Sequence, residues 1–182
     1  MQSIKKLQKI LETLTDDKHF LFSISDFEAV FPELQYNALK TLLSRAEKSS
    51  LIKRVCRGVY LYNKNFQSDN LILYHTAVKL RSRYFNYISL ETALSDAGII
   101  SQLPINWITI MSSGRKQTVS CGNFGTIEFV HTKKKPKTLA DKLTYDIRCG
   151  IWRASVELAI QDMRDTRRSM DLIDWSAVDE SV

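Results

Sequence analysis

With 182 residues, the chain is long enough to bury the core of one domain or of two small ones. Apolar residues at 44% and charged residues at 25%, with only six glycines and three prolines, match an ordinary globular protein and exclude a disordered or collagen-like chain. The net charge of +6 favours a polyanionic partner, although many basic proteins never touch nucleic acid.

The opening stretch MQSIKKLQKILETLTDD has charges spread through it, unlike the apolar core of a signal peptide or an acid-poor transit peptide. No apolar run approaches the ~20 residues of a membrane span, so a cytoplasmic protein with no membrane partner is expected. Within that stretch Ile4, Leu7, Ile10, Leu11 and Leu14 recur at helical spacing with lysines on the other face, which predicts an amphipathic helix over residues 4–14.

TDDKHFLF then breaks the pattern. Ser25-Asp-Phe-Glu28 reads as a capping box, in which each side chain satisfies the other's free backbone N–H, opening a second helix that stops near Pro32. A third helix, from about Leu34 to Lys48, places Leu39, Leu42, Leu43 and Ala46 on one stripe. Its opposite face carries Asn37, Lys40, Thr41, Ser44 and Lys48, with Arg45 at the side. Residues 51–62, LIKRVCRGVYLY, predict two short strands round an Arg57-Gly58 corner, with Gly58 supplying a positive-φ turn and Tyr60 entering the core. Three helices and a hairpin within residues 1–62 give the order of a winged helix-turn-helix.

Residues 63–70 are polar and read as a linker, leaving 71–182 as a second domain. There LILYHTAVKLRSR predicts a helix, and Ser89 caps a short one that Gly98 ends. Residues 107–111 predict a strand, and 117–132 a hairpin turning at Gly122, Asn123 and Gly125. After the basic run KKKPK, Thr138 is placed to cap a helix over LADKLTYDIR, and residues 155–175 read as strongly helical. The fold class expected is α+β: an N-terminal winged helix-turn-helix, then a C-terminal mixed α/β domain ending in helices.

A helix fits the major groove, and Asn37, Lys40, Thr41, Ser44, Arg45 and Lys48 carry groups that reach base edges or phosphates. A solvated helix face has the same pattern, but Lys53, Arg54 and Arg57 follow directly, where a wing meets the backbone of DNA. An accessory basic patch comprises Arg115, Lys116, Lys133, Lys134, Lys135 and Lys137, provided that the second domain's hairpin brings its ends together. A solvated loop that guards the hairpin's edge would look alike.

For catalysis the sequence offers little. Acidic residues are scattered singly, and Glu128 is followed by Phe-Val-His instead of a nuclease's lysine. His19, His75 and His131 form no metal-binding spacing, and no phosphate loop or nucleophile elbow is present. Cys56, Cys121 and Cys149 are odd in number and far apart, which argues for reduced packing residues. A non-enzymatic protein without metal or cofactor is expected.

The segment Leu51-Ile52-Lys53-Arg54-Val55-Cys56-Arg57-Gly58-Val59-Tyr60 resembles the wing of AbiEi-type antitoxins, where basic residues precede Arg-Gly-x-Tyr. Ser89 to Leu94, with Gly98 to Ile100 and Gln102-Leu103-Pro104, is similar to that family's Ser-x-x-x-Ala-Leu helix and following loop. Trp107 to Ile110, Gly125 to His131 and Ala154 to Asp162 continue the likeness in the same order, so that it covers most of residues 20–165. Val156 and Leu158 depart from the family's usual proline and basic residue. The resemblance implies an autorepressor binding inverted repeats in its own promoter, and an antitoxin that opposes a nucleotidyltransferase-like toxin without a stable complex. The residues by themselves leave two rivals: a stand-alone transcription factor whose second domain senses a ligand or binds protein, and an enzyme acting on nucleic acid.

Overall fold

The computed structural model describes residues 2–16, 19–62, 71–101 and 106–181. It is a mixed α+β structure dividing into two units, Met1–Asn70 and Leu71–Val182. The expected linker at 63–70 and the Gln102-Leu103-Pro104 segment lie outside the described residues.

Helix α1, Gln2–Leu14, buries Leu7 and Leu11 completely and sets Ile4 and Ile10 against the same core. Leu14, expected on that stripe, is instead 47% exposed, because the helix ends there and its last turn runs past the core. The chain next forms strand β1, Leu21–Ser23, which the sequence did not announce. Helix α2, Ile24–Val30, follows without a loop.

The capping box lies two residues earlier than expected. Ser23 Oγ accepts from Asp26 N at 3.2 Å and Asp26 Oδ2 accepts from Ser23 N at 2.7 Å, in place of the Ser25/Glu28 pair. Ser23 closes a strand and already has the extended backbone that a cap requires. Helix α3 spans Tyr36–Lys48 and buries Leu39, Leu42, Leu43 and Ala46, as its periodicity predicts.

Strands β2, Ile52–Cys56, and β3, Val59–Tyr62, make the expected hairpin, with Gly58 at φ +84° in the turn. Strand β1 adds to β3, so the sheet order is β1-β3-β2. Phe22, Ile52, Tyr60 and Tyr62 join the three helices in one core around Phe27 and Phe31. Full burial of an aromatic or aliphatic side chain contributes about 1.5–3 kcal/mol, so this cluster accounts for a large share of the unit's cohesion.

The second unit opens with α4, Ile72–Leu80, then β4, Asn86–Ile88, and α5, Leu90–Asp96. Strands β5, Trp107–Ser112, β6, Gln117–Ser120, and β7, Thr126–His131, come next. The predicted hairpin at 117–132 is β6 paired antiparallel with β7, and β5 runs parallel to β7 on its other side. Strands β8, Leu143–Asp146, and β9, Ile151–Ala154, complete a six-stranded sheet of order β6-β7-β5-β4-β9-β8. Helices α6, Val156–Asp165, and α7, Trp175–Ser181, end the chain.

Two helical expectations fail here. Residues 139–148 form a short 3₁₀ turn and then β8, and Thr138 closes a preceding 3₁₀ turn without capping a helix. Pairing with β9, from Leu143↔Ala154 to Asp146↔Ile151, overrides a weak helical preference. The long C-terminal helix breaks after Asp165, where Arg167 takes a left-handed φ of +56° and Arg168 N bonds back to Met163 O. Among the described residues no helix is long and apolar enough to cross a membrane.

Candidate nucleic-acid interface

On α3 the four buried positions fix the opposite face by geometry, and Asn37, Lys40, Thr41, Ser44, Arg45 and Lys48 are all exposed. Lys40, Arg45 and Lys48 make no ion pair among the described residues. Thr41 Oγ1 donates to Asn37 O at 2.9 Å, so its hydroxyl is left as an acceptor for an incoming donor. Lys40 Nζ sits 4.5 Å from the centre of the Tyr36 ring, which holds the ammonium near the start of the helix.

Tyr36, 48% exposed, belongs to this face and was not singled out from the sequence. Its signal was an aromatic at the first helical position, one turn before Lys40 on the candidate reading face. The preceding Gln35 makes no side-chain hydrogen bond to the first turn and that turn holds no acidic residue, so the positive end of the helix dipole is not countered locally.

Lys53, Arg54 and Arg57 are exposed on the hairpin. Adjacent residues of a strand point to opposite faces, so Lys53 and Arg54 are separated by the sheet. Arg54 pairs across with Tyr60, whose phenol burial pushes up while the nearby Arg54 charge opposes this; Glu47 and Tyr36 of α3 raise it further. Arg54 therefore shares the hairpin face turned to α3, and its Nε donates to Cys56 O at 3.3 Å across the bulge between Arg54 and Cys56. Arg57 sits in the turn, with no ion pair among the described residues. Between Asn37 and Arg57 there are six basic residues and one acidic one, Glu47.

In the second unit the hairpin does bring its ends together. His131 Nδ1 lies 2.8 Å from Gly114 O, and Thr132 N donates to Ser112 O at 2.9 Å, so the loop holding Arg115 and Lys116 adjoins the start of the Lys133–Lys137 run. Arg115, Lys116, Lys133, Lys135 and Lys137 are exposed. Lys134 is different: its Nζ bonds Asp162 Oδ1 at 2.6 Å and Asp165 Oδ2 at 2.8 Å. Burial alone would lower its affinity for a proton, but the two carboxylates raise it, and the group serves the fold instead of a ligand.

The remaining candidate chemistry is likewise occupied. Glu128 accepts from Arg168 Nη2 at 2.6 Å while Arg168 Nη1 reaches Glu91 at 2.9 Å, a bridge from α5 to β7. Ser89, expected to cap α5, has its hydroxyl donating 2.7 Å to the buried Asp162 Oδ2 and makes no capping bond. The three cysteines are buried and unbridged, and burial pushes the Cys149 thiol up to about 11. Among the described residues no group of three histidine, cysteine or acidic side chains is placed to hold a metal ion. No family model matches the chain, and no curated protein matches it either.

Proposed function

We propose that the first unit is a winged helix-turn-helix that seats α3 in the major groove of duplex DNA and lays its hairpin on the adjacent phosphates. The element order α1-β1-α2-α3-β2-β3 supports this reading. One observation carries it: the exposed face of α3 and the hairpin turn lie in one stretch of sequence, 37–57, whose single acid, Glu47, stands against five cations, Lys40, Arg45, Lys48, Arg54 and Arg57, besides Lys53 on the other side of the sheet. On this reading Asn37, Thr41 and Ser44 address base edges, with Lys40, Arg45, Lys48, Arg54 and Arg57 on phosphates.

The wider role we propose is that of a cytoplasmic, non-enzymatic autorepressor and antitoxin of the AbiE type, opposing a nucleotidyltransferase-like toxin. It rests on the resemblance of the wing, the Ser89–Leu94 segment and the strands after it. Two experiments test the parts separately. Fluorescence anisotropy with duplex DNA from upstream of its own gene is expected to show binding that the Lys40→Ala/Arg57→Ala variant loses; equal binding by both proteins would remove α3 and the wing from the interface. Co-expression with a neighbouring nucleotidyltransferase-like gene is expected to restore growth, and continued growth arrest would reject the antitoxin role.

A further inference from the structure

Three loops of the second unit meet at one end of its sheet. Strand β4 begins there, β5 and β7 end there, and β6 begins there, as the pairs Asn86↔Ser112, Ser112↔His131 and Gln117↔Phe129 require. The loops are stitched together: Ser113 N donates to Phe85 O at 2.9 Å, Phe85 N to Ser113 Oγ at 3.1 Å, and Arg81 Nη2 to Arg115 O at 2.8 Å. The sequence segments that supply this end, 79–86, 112–117 and 131–138, contain nine lysines and arginines and no acidic residue. Of these, only Lys134 is in an ion pair with a carboxylate among the described contacts of Arg81, Arg83, Arg115, Lys116 and the lysines at 133–137.

Arg81 sharpens the point. It is 7% exposed, and its described partners are neutral: the Arg115 carbonyl, the Gln117 amide oxygen at 3.1 Å and the rings of Phe129 and Tyr84. A buried guanidinium with no carboxylate beside it keeps an uncompensated positive charge beneath the surface, and a buried charge is screened less than an exposed one. That surface carries Arg83, Arg115, Lys116, Lys133 and Lys135, all exposed, and the half-exposed ring of Tyr84. A cation-rich face with an aromatic on its rim has the chemistry of a nucleic-acid backbone contact with room for an unpaired base.

We infer that this end of the second unit is a second nucleic-acid-binding surface, which takes the phosphodiester backbone and is independent of α3 and the wing. Arg81 is a positioning residue that holds the loop of Arg115, while Arg83, Arg115, Lys133 and Lys135 are the phosphate ligands.

The test uses the full chain carrying Lys40→Ala/Arg45→Ala/Lys48→Ala/Arg54→Ala/Arg57→Ala, which removes every phosphate contact assigned to the first unit and so separates this proposal from the reading of that unit. Binding to mixed-sequence duplex DNA and to a single-stranded RNA oligomer is titrated against salt. Adding Arg83→Ala/Arg115→Ala/Lys133→Ala/Lys135→Ala is expected to lower the slope of log affinity against log salt by about three units, since each phosphate contact contributes roughly 0.7–0.9. The corresponding Arg→Lys changes at 83 and 115 should preserve the slope. Whichever nucleic acid loses more is the natural source of the backbone, and Tyr84→Ala should weaken only the single strand. An unchanged slope for both nucleic acids in the quadruple variant would overturn the proposal. So would binding confined to vesicles of anionic lipid. An unaltered thermal midpoint checks that the substituted chain is folded.

Discussion

Lys134 reaches out of the basic run after β7 to the fully buried carboxylate of Asp162 on α6, Nζ to Oδ1 at 2.6 Å. The two ends of this pair are not equivalent. If Asp162 is removed, Lys134 can turn to Asp165 or to water, whereas removing Lys134 leaves a carboxylate inside the protein with no cation and only neutral hydroxyls, those of Ser89 and Tyr87, beside it. Lys134→Ala should therefore cost about 3–5 kcal/mol, the usual penalty for breaking a buried pair. Asp162→Asn should cost less, and the double variant should be well short of the sum. Urea unfolding followed by circular dichroism measures all three, and additive losses would show that the pair is not coupled.

Arg57 stands in the hairpin turn and Asn37 on the face of α3. Arg57→Ala should weaken all DNA sequences about equally and reduce the salt slope by about one unit. Asn37→Ala and Ser44→Ala should instead narrow the gap between preferred and mismatched sites by about 1–3 kcal/mol, the worth of one good base contact. Competition binding with single-base operator variants separates the two effects.

Just past the C-cap of helix α3, Ser50 holds a left-handed φ of +58° so that Leu51 N can bond back to Ala46 O at 3.0 Å. Glycine adopts this conformation without the Cβ penalty of about 1–2 kcal/mol that an L-residue carries. Ser50 is exposed, so nothing is lost from the core. Ser50→Gly should raise stability by up to about 1 kcal/mol, less the added freedom of the unfolded chain, read as a higher thermal midpoint.

Asp146 is flanked by Arg153, Nη2 to Oδ2 at 3.0 Å, and by the Cys149 N–H at 3.2 Å. Burial alone would raise its pKa, but the guanidinium and the N–H donor outweigh it and bring the group to about 2. An unfolded aspartate titrates near ~3.9, so the folded state binds fewer protons between those values. The contribution is complete above about pH 4 and is lost as pH falls through about 2, and it amounts to about 2 kcal/mol. Wild type and Asp146→Asn should differ by this order at neutral pH and converge near pH 2. A gap that persists in acid would assign the loss to geometry instead of charge.

Where packing repeats along one element, the sequence discloses it. Leu39, Leu42, Leu43 and Ala46 mark the buried side of α3, and Gly58 marks the hairpin turn, because these needs are local. Strands β1 and β8 escape notice because three or four residues acquire strand geometry only from partners far along the chain, β3 for one and β9 for the other. The candidate DNA-reading face follows from the same stripe that fixes the core. The commitment of Lys134 to Asp162 and the division of Lys53 from Arg54 by the sheet do not, because each depends on where another element lies. Arg83 was hidden for a related reason: the helix expected through it stops at Leu80, and the loop that follows turns toward the ends of β5 and β7.

The most direct test of the central claim is a salt titration of the full chain on DNA from upstream of its own gene and on a scrambled duplex of equal length. The account predicts a preference of ~1000-fold or more for the upstream DNA, the lower range of specific binders. Equal, weak binding to both duplexes would contradict it.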